Sequence, residues 1–322
     1  MDLIIHHLIK SKHILVVTHM NPDGDAIGSL IAMGLSLEAI NKKITLYNEN
    51  PIPAVYRFLP ATHRVVQRID GTNYDVAVIL DCSDMQRIGR DVSSVRKIPV
   101  IINIDHHITN TGFGHFQLVD TSACATAEIV YRLIKKMDIP FDKAIATSIY
   151  TGILADTGSF RFSNTNKAAF KISQEMMEMG VDHYNIAQHV YGTYSLSRIK
   201  LLNLALDSIE ISNNGKLSIM ILTKNMFDKT HTQPEDVDGL INYAKRIKDV
   251  KIAALIQENQ NGTGESKNSK RFHVSLRSDG TVDVAEIASS FGGGGHSSAA
   301  GFNIESTLSD IKSRIFSIAD KI

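Results

Sequence analysis

The sequence predicts an α/β protein: a mostly parallel-sheet N-terminal domain followed by a smaller, mixed α/β C-terminal domain. The order of patterns carries that reading. Strand-like apolar runs alternate with helical patterns in the first third, the middle is mainly helical, and the last third turns to hairpin and strand patterns. A length of 322 residues with 43% apolar side chains suits two buried cores rather than one. The domains are expected over 1–190 and 209–322, joined by a connection at 191–208 where the pattern changes without a Pro/Gly linker.

Residues 13–19 (HILVVTH) form a continuous β-branched run of the kind buried on both faces of a parallel sheet. The apolar positions of 26–40 suit a helix packed on that sheet, and KITLYNE, YDVAVILD and IPVIINID read as further strands. Ligands of such sheets bind at the carboxyl ends of the strands, where the acidic residues of this chain fall. TAEIVYRLIKKM, DKAIATSIYTGILA and NKAAFKISQEMMEM carry helix-period apolar positions between Ala123 and Val190. Farther on, IEISNNGKLSIMIL reads as a hairpin turning at Asn213, Asn214 and Gly215. DVKIAALIQEN and RFHVSLRS read as strands, with the polar stretch 259–270 between them as a loop, and LSDIKSRIFSIADKI closes as a helix.

Lys plus Arg number 34 and Asp plus Glu 34, so the net charge is zero. A chain that grips long nucleic acid nonspecifically carries a basic surplus, so long duplex nucleic acid is not expected as a partner. A small anionic substrate met by a local basic patch fits better. Two cysteines, Cys82 and Cys124, do not make a disulfide framework. The N-terminal stretch lacks the pattern of a signal peptide, and no apolar run approaches the ~18 residues of a spanning helix. A cytoplasmic protein without membrane association is expected.

The chemistry concentrates in four stretches. In THMNPDGDAIGS, His19, Asp23 and Asp25 leave the first strand within a turn tightened by Pro22 and Gly24; carboxylates with an imidazole suit Mn²⁺, Mg²⁺ or Zn²⁺. Ordinary turn chemistry, with Asp25 capping the next helix, is the alternative. LDCSD puts Asp81 at the end of a strand, and NIDHH puts Asp105, His106 and His107 at the end of another. Asp156 ends an apolar helical run, where burying an unpaired carboxylate is costly unless a cation is near. So many carboxylates repel one another without divalent cations, and two such cations suit phosphoryl chemistry. Arg161, beside the last motif, is a candidate phosphate contact. The glycine run 292–295 followed by His296 exposes N–H groups to an anion, or is simply a loop.

Taken together, HMNPDGDAIGS, LDCSD, IDHH with NTGFG, ADTGSFRFSNT and the terminal GGGGHSSAAGF resemble the DHH/DHHA1 phosphoesterases, over about residues 13–302. The nearest subgroup is the NrnA type, nanoRNases and phosphatases of 3′-phosphoadenosine 5′-phosphate (pAp). The resemblance implies a DHH catalytic domain, a DHHA1 substrate-binding domain and two divalent ions, with Mn²⁺ favoured. It implies one ion on His19, Asp23 and Asp81 and the other on Asp25, Asp81, His106 and Asp156, with Asp81 bridging. His107 is left for the phosphate or the leaving oxygen, and Asp105 orients a histidine. Gly293, Gly294, Gly295, His296 and Arg277 become substrate contacts. The implied substrates are short oligonucleotides and pAp, and the implied assembly a homodimer. A cyclic dinucleotide phosphodiesterase is the alternative activity. From another class, the alternative is a noncatalytic nucleotide-binding protein that keeps a structural metal site.

Overall fold

A computed structural model describes every residue except 70, 72, 193, 264–268 and 321, and every side chain of the remainder except those of 234, 235, 260–263 and 296. The chain divides into two compact units, Met1–Thr193 and Tyr194–Ile322.

The first unit contains α1 (Asp2–Lys10), β1 (His13–Thr18), α2 (Gly24–Ala39), β2 (Lys43–Tyr47), β3 (Val76–Leu80), α3 (Val92–Val95), β4 (Val100–Asp105) and β5 (Phe116–Val119). The helices α4 (Thr126–Lys136), α5 (Lys143–Asp156), α6 (Lys167–Glu178) and α7 (His183–Ala187) complete it. Its five strands lie in the order β2-β1-β3-β4-β5, all parallel. The continuous apolar run of β1 is explained by burial on both faces. Ile14 and Val16 join the larger core with α2, α4 and α5, while Leu15 and Val17 join the core on the other face with Ile79, Ile88 and Val95. Successive strands leave β1 on opposite sides, β2 on one and β3 on the other, which opens a crevice at their carboxyl ends.

Two glycines let α2 and α5 approach closely. A Cβ at Gly28 would lie 2.5 Å from the Ser148 carbonyl oxygen, and one at Gly152 would lie 2.7 Å from the Ala127 Cβ. This packing carries the carboxyl end of α5, with Asp156, and the start of α4 to the sheet's carboxyl edge.

The second unit contains α8 (Leu196–Asp207), β6 (Glu210–Ile211), β7 (Leu217–Leu222), α9 (Lys224–Thr230), α10 (Ile241–Lys245), β8 (Ile252–Thr263), β9 (Lys270–Ser278), α11 (Val284–Ser290), β10 (Gly294–His296), β11 (Ala299–Ser306) and α12 (Leu308–Ala319). Its six strands lie in the order β10-β11-β9-β8-β7-β6; β7 and β8 pair in parallel and the other neighbours antiparallel. One face packs on α11 and α12 through Ile219, Val274, Phe302 and Ile315, and part of the other packs on α8, α9 and α10 through Leu201, Phe227, Ile241 and Leu255.

Three stretches differ from the sequence reading. Residues 196–207, expected in the connection, form α8, because Leu201 and Ala205 bury against the second sheet. The expected loop 259–270 is strand up to Thr263, with a register irregularity between Glu258 and Thr263, and its remainder includes 264–268, outside the described residues. Within the glycine run, Gly294–His296 pairs with β11 as an edge strand. The glycines are needed for that contact: a Cβ at Gly293 would lie 2.2 Å from the Gly301 carbonyl oxygen, and one at Gly295 would lie 2.5 Å from the Ala300 Cα.

Candidate metal centre

The strand register aligns the site. Thr18 lies opposite Leu80, and Leu80 opposite Ile104, so His19, Asp81 and Asp105 emerge together from three adjacent strands. Asp81 does so on a left-handed backbone, φ 55°, while its N–H still donates to the Ile104 carbonyl oxygen at 3.0 Å. An aspartate tolerates that conformation better than most residues, at a cost of roughly 1–2 kcal/mol.

Three groups of side chains each bring potential ligand atoms within 4.8 Å of one another: His19, Asp23 and Asp81; Asp25, His106 and Asp156; and Asp81, His106 and His107. Asp81 stands between them. Its Oδ2 lies 3.5 Å from His19 Nε2, and its Oδ1 lies 3.6 Å from both His106 Nε2 and His107 Nδ1. His106 Nε2 is also 3.7 Å from Asp156 Oδ2 and 3.9 Å from Asp25 Oδ2. His19 Nδ1 sits 2.9 Å from the Met20 carbonyl oxygen, a contact in which Nδ1 donates, and the ring so held turns Nε2 toward Asp81.

The two aspartates of the first motif divide its alternatives. Asp23 is the residue that caps α2, accepting from the N–H groups of Asp25 and Ala26. Asp25 is fully buried and accepts from the main-chain N–H groups of Thr126 and Ala127, at 2.6 and 2.9 Å, and from Ser29 Oγ at 3.1 Å.

Asp105 is fully buried behind the ligand groups. Its Oδ1 accepts from His107 Nδ1 at 2.7 Å and its Oδ2 from Asn110 Nδ2 at 2.6 Å. Burial opposes a charge on His107, but the Asp105 bond and the Asp81 and Asp105 charges outweigh it and raise its pKa to about 9. Burial also opposes the Asp81 charge, and the His19 bond with the imidazole charges wins, lowering its pKa.

The donor set fits divalent cations. Burial first, then the charges of Asp81, Asp156 and Asp23, push the Asp25 carboxyl well above its ordinary range. Burial raises Asp156 to about 7 against the opposing His106. Carboxylates this short of positive charge, mixed with imidazoles, are hard oxygen and borderline nitrogen donors of the kind Mn²⁺, Mg²⁺ and Zn²⁺ take.

Several positioning side chains carry little sequence signal. Asn164 Nδ2 donates to Asp156 Oδ2 at 2.9 Å, Thr126 Oγ1 to Asp81 Oδ1 at 3.0 Å, and Asn48 Nδ2 to the His19 carbonyl oxygen at 2.7 Å. Asn110 and Asn164 fall inside stretches singled out for their chemistry, whereas Thr126 and Asn48 fall in stretches notable only as helix and strand.

The expected substrate contacts fall in both units. Arg161 is exposed after Asp156; its Nε donates to the Gly158 carbonyl oxygen at 2.6 Å, and its guanidinium lies 5.9 Å from the Tyr191 ring centre. In the second unit the register places Arg277 opposite Ala299, and Ala299 opposite His296, in one row across β9, β11 and β10. Gly294 and Gly295 precede His296 on β10, Gly293 adjoins the strand, and the His296 side chain is outside the described set. Burial lowers the Arg277 pKa, with Asp238 opposing.

Residues 13–153 match the N-terminal domain of the DHH family, and residues 216–321 match the DHHA1 domain. The bifunctional oligoribonuclease and PAP phosphatase NrnA of Thermus thermophilus is 30% identical over 91% of this chain and 84% of its own length. The chain belongs to the DHH family. The bifunctional oligoribonuclease and PAP phosphatase NrnA of Bacillus subtilis is 26% identical over 91% of this chain and 90% of its own length. The crystal structure of an exopolyphosphatase-related protein from Bacteroides fragilis superposes with a TM-score of 0.90 at 28% identity, covering 99% of this chain and 94% of that one. The DHH match ends at residue 153, just short of Asp156, so that ligand candidate rests on the geometry that α5 gives it.

Proposed function

We propose that this chain hydrolyses phosphoesters of short oligonucleotides and of pAp, with two divalent cations, Mn²⁺ favoured. His19, Asp23 and Asp81 would hold one cation; Asp25, Asp81, His106 and Asp156 would hold the other. The observation that carries this reading is the Asp81 carboxylate, with one oxygen toward His19 and the other toward His106. The NrnA likeness over nine-tenths of the chain supports the substrate class.

Bound cations supply charge to the phosphoryl oxygens and acidify the attacking water. The protein's own part is orientation. Asp81 holds a fixed rotation between the two ligand groups. His107 commits Nδ1 to Asp105, so Nε2 is the atom that carries a proton toward the phosphate or the leaving oxygen. Arg161 meets phosphate in the first unit. In the second, Arg277 offers a guanidinium for bidentate phosphate binding, and Gly293, Gly294, Gly295 and His296 offer a close main-chain approach.

The test is phosphate and mononucleotide release with Mn²⁺ from pAp, a dinucleotide, a long single strand and a cyclic dinucleotide in parallel. Turnover of the first two, reduced at least about 10³-fold in Asp81→Ala, is expected. Preference for the cyclic substrate moves the assignment to a cyclic dinucleotide phosphodiesterase. Binding of pAp without turnover of any substrate moves it to a nucleotide-binding protein.

A further inference from the structure

Helix α4 has no capping side chain of its own, since Ala125 occupies its N-cap position. The first N–H groups of a helix lack intrahelical partners and carry the positive end of its dipole. Here they are met by Asp25, which lies 101 and 102 residues earlier in the chain than Thr126 and Ala127. The same first residue also reaches the other carboxylate: Thr126 Oγ1 donates to Asp81 Oδ1 at 3.0 Å. Thr126 therefore touches Asp25 with its main chain and Asp81 with its hydroxyl, and Thr126 itself is fully buried.

Those two carboxylates belong to different ligand groups. Asp25 stands with His106 and Asp156; Asp81 also stands with His19 and Asp23. The hydroxyl meets the Asp81 oxygen that faces His106 and His107, and leaves Oδ2 toward His19. The terminal torsion of aspartate is broad, and the hydroxyl restrains it on the Oδ1 side.

We propose that Thr126 is a positioning residue of the metal centre: its hydroxyl fixes the rotation of Asp81, and its main chain sets Asp25 at the matching distance, so that both ligand groups are preorganised before metal arrives. The proposal rests on the two-cation reading above, and a metal-binding readout separates the two.

Thr126→Val replaces the hydroxyl with a methyl of the same shape and keeps the main-chain bonds to Asp25, whereas Thr126→Ser keeps the donor. Mn²⁺ binding to the full chain, followed by electron paramagnetic resonance of the free ion, is expected to weaken about 10–100-fold in Thr126→Val for at least one site. The valine variant is also expected to lose kcat on pAp by a similar factor, with KM changed by less than about threefold, and Thr126→Ser to restore both. Melting of the metal-free proteins separates positioning from a general loss of structure. If the valine variant does not fold, Thr126→Ala makes the same comparison with a better helix former. Mn²⁺ affinity unchanged in the folded variant overturns the proposal, and so does an equal loss in Thr126→Ser. A wild type that binds Mn²⁺ but turns over nothing refutes the phosphoesterase reading, while the affinity ratio still decides the role of Thr126.

Discussion

Asp156 and Asp25 carry their protons to higher pH in the folded chain than in the unfolded one, chiefly because they are buried beside other carboxylates. Between the ordinary value of 3.8 and about 7 for Asp156, the folded state holds a proton that the unfolded state releases, so this contribution to stability falls as pH rises through that window. His107 adds to the trend higher up. Its raised value, about 9, gives stability that is complete below 6.5 and lost as pH rises through 9. Asp81 works the other way, with a contribution present above 3.8 and lost as pH falls through its lowered value. The metal-free protein is therefore expected to melt at a higher temperature at pH 5 than at pH 8, and saturating Mn²⁺ to reverse that order, since the metal displaces the protons. Equal melting at both pH values without metal would contradict the protonation scheme. Asn110 offers a second residue-scale prediction: it links Asp105 Oδ2 to Asn103 Oδ1, at 2.6 and 2.8 Å, and so steadies the partner of His107. Asn110→Ala is expected to lower kcat about 10–100-fold with little change in Mn²⁺ affinity, measured by steady-state kinetics and metal titration. The ligand candidates were legible in sequence because His and Asp cluster at strand ends. Asn48 and Thr126 were not, because an isolated Asn or Thr is ordinary and its value lies in a contact formed across the fold.

At the scale of elements, the close approach of α2 and α5 has a measurable cost when disturbed. Gly28→Ala puts a methyl within 2.5 Å of the Ser148 carbonyl oxygen, which cannot retreat without moving the α5 backbone. Overpacking of this kind is expected to destabilise by about 1–3 kcal/mol, read from denaturant melts, and to weaken metal binding because α5 carries Asp156. The long elements were the legible ones: β1, β3 and β4 as apolar runs, and α4, α5 and α6 by helical period. The short edge strand β5 was hidden by its alternating exposure and small length, and β10 by a glycine run that reads as a loop until β11 is beside it. Phe291 stacks on Phe302 at 4.4 Å between ring centres, with the Arg314 guanidinium 5.0 Å from the Phe291 ring centre, so α11 is tied to β11 by an aromatic pair.

At the scale of the molecule, each unit has its own buried clusters, and among the described residues the metal-ligand candidates lie in the first. A fragment covering 194–322 is expected to fold alone, with far-ultraviolet circular dichroism and a cooperative melt that Mn²⁺ does not shift. The full chain is expected to gain stability only in its first unit, by about 2.7 kcal/mol for each occupied site at a hundredfold excess of Mn²⁺ over that site's Kd. No helix among the described residues is long and apolar enough to cross a membrane. The bond between Asp25 and the start of α4 has a kinetic consequence. Helix segments form from local contacts, but this end of α4 stays uncapped until a loop of about a hundred residues has closed, which is slow relative to helix growth. In refolding from denaturant, helical signal is expected to return before Mn²⁺ binding does, so the order of events in time runs from scaffold to catalytic centre.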